Sequence, residues 1–155
     1  MNEHEIDRQI ERYARQLILP EIGDEGQEAL AQSRLLILGA GGLGVPILVN
    51  ATAAGFGHIT IIDDDKIERT NLNRQYIYHE GDIGEPKAKT AARFAQRLNQ
   101  HCTIHPDLSR FTADRIDMVN HFDIIIDATD NAETRHLANQ AALLSQKPLI
   151  FVSAI

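Results

Sequence analysis

The chain has one cysteine, no tryptophan, five prolines and only 5% aromatic residues in 155 positions. A single cysteine excludes an internal disulfide and any cysteine-based zinc site built from this chain alone, and it suits a reducing compartment. Basic residues are also in deficit, with 15 Lys and Arg against 22 Asp and Glu and a formal net charge of -7. Nucleic-acid binding rests on a basic face that neutralises phosphates, so this balance argues against it. Long apolar runs are missing as well. Ile59–Ile62 is far short of the roughly 20 residues that cross a bilayer. The start, Met1-Asn2-Glu3-His4-Glu5, lacks the basic and apolar regions of a signal peptide. These absences predict a cytoplasmic protein with no membrane partner. What is present is ordinary globular composition, 43% apolar and 24% charged, in a length that suits one domain.

Apolar residues at Ile6, Ile10, Tyr13, Ala14, Leu17 and Ile18 recur at helical spacing, predicting an amphipathic N-terminal arm closed by Pro20 and Gly23. A short helix over Glu25–Ala31 completes an arm of residues 1–33. From residue 34 to 155 strands alternate with helices. Strands are predicted at Arg34–Leu38, His58–Ile62, Thr103–His105, Phe122–Asp127 and Pro148–Ala154. Helices are predicted at Val45–Ala54, Lys87–Asn99, Thr112–Asn120 with Thr112 as cap, and Ala132–Ser145. The alternation specifies an α/β fold of Rossmann-like type: an open, mainly parallel sheet with helices on both faces. The chain reaches Ile155 inside or at the mouth of an apolar strand, which suggests a shortened form of a longer fold.

The chemistry concentrates at the strand ends. After the first strand comes Gly39-Ala40-Gly41-Gly42-Leu43-Gly44, a G-x-G-x-x-G turn into a helix. In such turns the first glycine permits the tight bend, the second lets backbone approach a phosphate, and the third allows close helix–strand packing. Gly42 adds a further position without a side chain. Asp63, at the next strand end, is placed to accept from ribose hydroxyls. Together these predict a nucleotide, without choosing between NAD and ATP.

Arg74, in Asn71-Leu72-Asn73-Arg74-Gln75, and Lys87, after Pro86, could hold the charge that builds when the α-phosphate of ATP is attacked. On local grounds solvated surface charges explain them equally well. Asp127-Ala128-Thr129-Asp130-Asn131 closes a buried strand where ligands collect in open α/β sheets, and a carboxylate there can hold Mg²⁺. Helix capping by Asp127 or Asn131 is the plainer alternative. His101 and His105 read as exposed strand residues, Cys102 as packing, and His79 as the one histidine near the phosphate loop.

Arg12-Tyr13-Ala14-Arg15-Gln16-Leu17, the glycine turn, Asp63 to Asp65, Asn71 to Gln75, Pro86-Lys87 and Asp127 to Asn131 come in an order and spacing that resemble the ThiF/MoeB/HesA family. These are bacterial enzymes akin to ubiquitin-activating enzymes. The resemblance runs from about Glu11 to Ile155 and implies ATP-dependent adenylation of the C-terminal glycine of a ubiquitin-like sulfur carrier. It implies ATP contacts from Gly39, Gly41, Gly42, Gly44, Asp63, Asn71, Arg74, Gln75 and Lys87, and a Mg²⁺-linked Asp130. It further implies a homodimer in which Arg15 enters the partner's site. Asp63-Asp64-Asp65 and Leu149 to Ala154 look more like the thiamine branch than the molybdopterin branch. Family members continue for about a hundred residues more and bind structural Zn²⁺ there through paired C-x-x-C motifs, which this chain does not contain. Weak or absent turnover by this chain alone follows from that reading. An NAD-dependent oxidoreductase and a noncatalytic nucleotide-binding or assembly module are the alternatives.

Overall fold

The computed structural model describes residues 3–154, with side chains from residue 9 onward. Helices α1 (Glu3–Leu17) and α2 (Gly23–Gln32) precede strand β1 (Arg34–Leu38). There follow α3 (Gly44–Ala54), β2 (His58–Ile62), α4 (Lys87–Leu98), β3 (Thr103–Asp107), β4 (Ile124–Asp127), α5 (Ala132–Ser145) and β5 (Leu149–Phe151). The five strands form one parallel sheet in the order β3-β2-β1-β4-β5. Successive connections run outward from β1 to β3, and the chain then crosses to β4 on the other side of β1. That reversal is the topological switch point at which ligands bind in open α/β sheets.

Alternation along β1 divides the core. Leu35 and Ile37 pack with Ile59, Ile61, Val45, Leu48 and the alanines of α4. Leu36 and Leu38 face Ile125, Val119 and the inner side of α5. Each of these β1 side chains is at most 1% exposed, and full burial of one Leu or Ile is worth about 1.5–3 kcal/mol. Helices therefore cover both faces, as the alternation predicts. Beyond β4 the cover thins: Ile126 is half-buried, and Ile150, its register partner on β5, is exposed.

Two predicted elements change. The segment Ala113–His121 is a 3₁₀ helix instead of an α-helix. Its apolar residues Ile116 and Val119, with Phe122 just after, are three apart, the repeat at which 3₁₀ side chains line up, and all three pack in the core under α5. The Thr112 side chain accepts no capping bond, and its hydroxyl is hydrogen-bonded with the Asp114 carboxylate. β3 extends to Asp107, β4 begins at Ile124, and β5 is three residues long.

The arm docks by polar contacts more than by its apolar stripe. Ile10, Ala14 and Ile18 are exposed, Leu17 is half-buried, and Tyr13 is buried; Ile6 lies outside the described side chains. The Tyr13 hydroxyl accepts from Asn99 Nδ2 at 2.8 Å, and the same nitrogen donates to the Thr52 carbonyl at 2.9 Å. Gln16 Nε2 donates to Gln27 Oε1 at 2.8 Å, and both glutamines donate to the Ala54 carbonyl. These partners sit at the C-terminal ends of α3 and α4. The arm is thereby fastened to the end of the sheet where the strands begin.

Candidate nucleotide-binding site

At the opposite end, where the strands finish, the loops after β1, β2, β3 and β4 enclose a cavity of about 890 Å³. Pockets of roughly 300–1,000 Å³ hold small ligands and cofactors. The glycine turn forms its floor. Gly39 adopts φ +95°, a left-handed value that favours glycine. Gly44 is required by contact: a Cβ there would lie 1.9 Å from the Gly39 carbonyl oxygen. Gly44 accordingly packs its Cα against the turn at the start of α3. Gly39, Gly41 and Gly42 line the cavity.

Asp63 lines the cavity at the end of β2, but its carboxylate already works on the fold. Oδ2 accepts from the Ala40 N–H at 2.6 Å and Oδ1 from the Asp65 N–H at 2.8 Å, so the residue ties β2 to the glycine turn. Burial pushes this carboxyl above its ordinary value, against the lowering pull of those two N–H groups and of Lys87.

The segment after Lys66 folds over the turn as a 3₁₀ turn, Arg69–Asn71. Asn71 is buried, and its Oδ1 accepts from the Glu68 N–H at 2.9 Å, closing that turn. Arg74 lies with its stem over Gly42 and donates to the Thr70 carbonyl at 2.9 Å and to Asn73 Oδ1 at 3.1 Å. Gln75 is 3% exposed, beside Gly41, and its Oε1 has no hydrogen-bond partner. Lys87 opens α4. Its Nζ, on a side chain 9% exposed, pairs with Asp65 Oδ2 at 2.7 Å, and its backbone N–H donates to the Asp65 carbonyl.

Across the cavity, Asn131 caps α5, its Oδ1 accepting from the Glu133 and Thr134 N–H groups. Asp130, just before the cap, is exposed in the cavity wall and makes no hydrogen bond or ion pair among the described residues.

The structure thus gathers Gly39, Gly41, Gly42, Asp63, Asn71, Arg74, Gln75, Lys87 and Asp130 around one cavity. Arg15 is not among them. It is exposed on α1, on the arm fastened to the other end of the sheet. His79 is also outside the cavity, beside Asp82 in the Glu80–Asp82 turn. Two arginines line the cavity without having been singled out in the sequence. Arg110, after β3, faces Asp64 at 3.3 Å, and Arg135, one turn into α5, reaches Asp127 and the Thr129 carbonyl. The signal for Arg135 was Asp127 itself, since a carboxylate on a buried strand calls for a cation.

Cys102 is buried on the arm side, its Sγ 3.4 Å from the Thr52 carbonyl. Burial pushes its thiol up to about 11. The thiolate is the reactive form, so at pH 8 only about one molecule in a thousand is reactive. Labelling by a disulfide reagent at that pH should be at least tenfold slower in the native protein than in denaturant; equal rates would show the site open.

A Rossmann-like sheet with a glycine turn, an acid at the second strand end and two cations over the turn defines a nucleotide-binding α/β protein. Residues 13–155 match the ThiF family, and the chain belongs to it. It is 42% identical over 144 residues to the sulfur carrier protein adenylyltransferase of Thermus thermophilus, covering 92% of this chain and 53% of the relative. Its identity to the SAMP-activating enzyme E1 of Haloferax volcanii is 39% over 143 residues, covering 92% and 53%. Among solved structures, E. coli MccB with ATP superposes with a TM-score of 0.78 at 27% identity, over 83% of this chain and 39% of that one. The chain spans about half the length of the two curated relatives.

Proposed function

We propose that this chain is the nucleotide-binding part of an enzyme that adenylates the C-terminal carboxylate of a ubiquitin-like sulfur carrier. The observation that carries the reading is the cavity itself. Arg74 lies over the bare glycine turn and Lys87 lines the same cavity, with a carboxylate, Asp130, that makes no hydrogen bond or ion pair among the described residues. A hydride-transfer site has no need of two cations and a free acid around its phosphates.

In the proposed reaction a carboxylate oxygen of the carrier's terminal glycine attacks the α-phosphorus of ATP. The P–O bond to the β-phosphate breaks, the acyl adenylate forms, and pyrophosphate departs with the bonding pair. The turn's backbone N–H groups and the start of α3 bind phosphate oxygens. Arg74 and Lys87 hold the charge that grows on the α-phosphate and on the leaving pyrophosphate, and Asp63 accepts from the ribose with the lone pairs its backbone donors leave. No side chain need act as nucleophile; positioning and electrostatics suffice. Asp130, an unpartnered oxygen donor at the cavity wall, suits a hard divalent cation. Bound Mg²⁺ would neutralise phosphate charge there.

Arg15 completes this reading in trans. It cannot serve the cavity of its own chain from the far end of the sheet, and it lies beside the exposed apolar stripe Ile10, Ala14 and Ile18, a surface suited to a second copy. The carrier is proposed to be ThiS-like, with a MoaD-like carrier as the comparison.

Nucleotide titration of the chain tests the proposal. ATP should bind more tightly with Mg²⁺ than without, and Arg74→Ala should weaken it at least tenfold, since a charge-assisted contact is worth about 1.5–3 kcal/mol. NAD binding indifferent to both Mg²⁺ and Arg74 would overturn the reading. Carrier-dependent ATP–pyrophosphate exchange then compares the two carriers.

A further inference from the structure

We infer that Asp127 and Arg135 form an internal brace that positions Asp130. The inference rests on the proposed role of Asp130 but stands on separate observations.

Asp127 ends β4 with no solvent exposure, beneath the loop that carries Asp130. Helix capping does not account for it, because Asn131 does the capping. Its Oδ1 accepts from both the N–H (3.0 Å) and the hydroxyl (2.6 Å) of Thr129. Its Oδ2 and Arg135 Nε are both closed to solvent, lack any hydrogen-bond partner, and face each other at 3.5 Å. Arg135 Nη2 donates to the Thr129 carbonyl at 3.0 Å, and the guanidinium lies 5.9 Å from the centre of the Phe151 ring. Thr129 is therefore held by N–H, hydroxyl and carbonyl at once, all through one ion pair. Asn131, on the other side, is held by the start of α5. Asp130 makes no hydrogen bond or ion pair among the described residues, so its placement is inherited from these two neighbours.

The pair is buried at Asp127 and half-open at Arg135; such a pair gives little net stability, and removing the arginine leaves a buried carboxylate uncompensated. Its consequence is geometric: it sets where Asp130, a site carboxylate with no hydrogen bond or ion pair among the described residues, points. Arg135 and Asp127 are positioning residues, since neither needs to touch the nucleotide.

Hydrogen exchange and MgATP titration of the 155-residue protein test this, using Arg135→Met, Arg135→Lys, Asp130→Asn and the double variant Arg135→Met/Asp130→Asn. Exchange of the Thr129 amide, which donates to Asp127 Oδ1, should quicken at least tenfold in Arg135→Met, with β1 and α3 unchanged. Arg135→Lys, which keeps the charge but cannot span Asp127 and the Thr129 carbonyl together, should lie between; it also serves if Arg135→Met does not fold. MgATP affinity should fall about tenfold in Arg135→Met and about as much in Asp130→Asn. The double variant should be no weaker than Asp130→Asn alone, because a brace has nothing to position once its carboxylate is gone. Additive losses in the double variant, or unchanged Thr129 exchange in both Arg135 variants, would overturn the brace. If the wild-type protein binds no MgATP, the proposed function fails, while the exchange arm still decides the brace.

Discussion

ATP should bind the Lys87→Met variant about 10- to 100-fold more weakly than the wild-type chain, with the fold intact. The lysine stem is buried under the loop that carries Asp65, and its side chain is only 9% exposed. Methionine replaces that stem with a flexible apolar one of similar length, so packing is largely kept. The ammonium is lost, and with it one charge-assisted contact to phosphate, worth about 1.5–3 kcal/mol. Asp65 is left without its partner, but its side chain is 65% exposed and water can solvate it. A buried carboxylate in the same position would unfold the loop; this one does not. The pair also implies a converse. Asp65 screens the charge that the phosphates would use, so Asp65→Asn should raise ATP affinity severalfold. Calorimetric titration of both variants reads the two effects. An affinity for ATP unchanged in Lys87→Met would place the lysine outside the phosphate site.

Much of this site was legible because it lies at positions that parallel topology fixes. A ligand in an open α/β sheet meets the carboxyl ends of the strands at the switch point. Three of the relevant loops follow recognisable strands: Gly39–Gly44 after β1, Asp63–Asp65 after β2 and Asp127–Asn131 after β4. Arg74 and Lys87 needed more, since nothing local separates a phosphate ligand from a solvated charge. Only the fold of residues 66–87 back across the turn brings them together. Asp127 called for some cation, but which one was not legible, for a related reason. The partners of Arg135 are Asp127, Thr129 and Phe151, assembled from a strand end, a loop and the edge strand, with no shared spacing. The arm shows the opposite limit. Helical periodicity at Ile10, Ala14 and Ile18 predicted an apolar face correctly, but periodicity does not say what covers it. The contacts that dock the arm come from Tyr13 and Gln16 instead. Asp63 lines the cavity. Its bond to the Ala40 N–H shows that a residue expected to read a ribose also holds the turn in shape.

Gly44→Ala should be among the most damaging single-methyl additions to this chain. The added Cβ would sit 1.9 Å from the Gly39 carbonyl oxygen and 2.8 Å from its carbon. Both are backbone atoms, so no side chain can rotate away, and the turn must lift off α3. Gly39 cannot yield easily either. It is held at φ +95°, and its N–H donates to the Ile62 carbonyl at 2.8 Å. Overpacking a tight site costs about 1–3 kcal/mol and sometimes more, and this contact belongs at the upper end. At about 2–4 °C per kcal/mol for a domain of this size, melting should fall by roughly 6–12 °C. Nucleotide binding should suffer further, because the movement spreads the N–H groups proposed to cradle the phosphates and shifts Ala40 away from Asp63. Gly81→Ala is the matched control: nothing lies within 4 Å of a Cβ there and its φ is not positive, so its melting temperature should stay within about 1–2 °C of wild type, as surface substitutions usually do. Equal melting temperatures for the two variants would mean that the turn and α3 are not packed as closely as this structure places them.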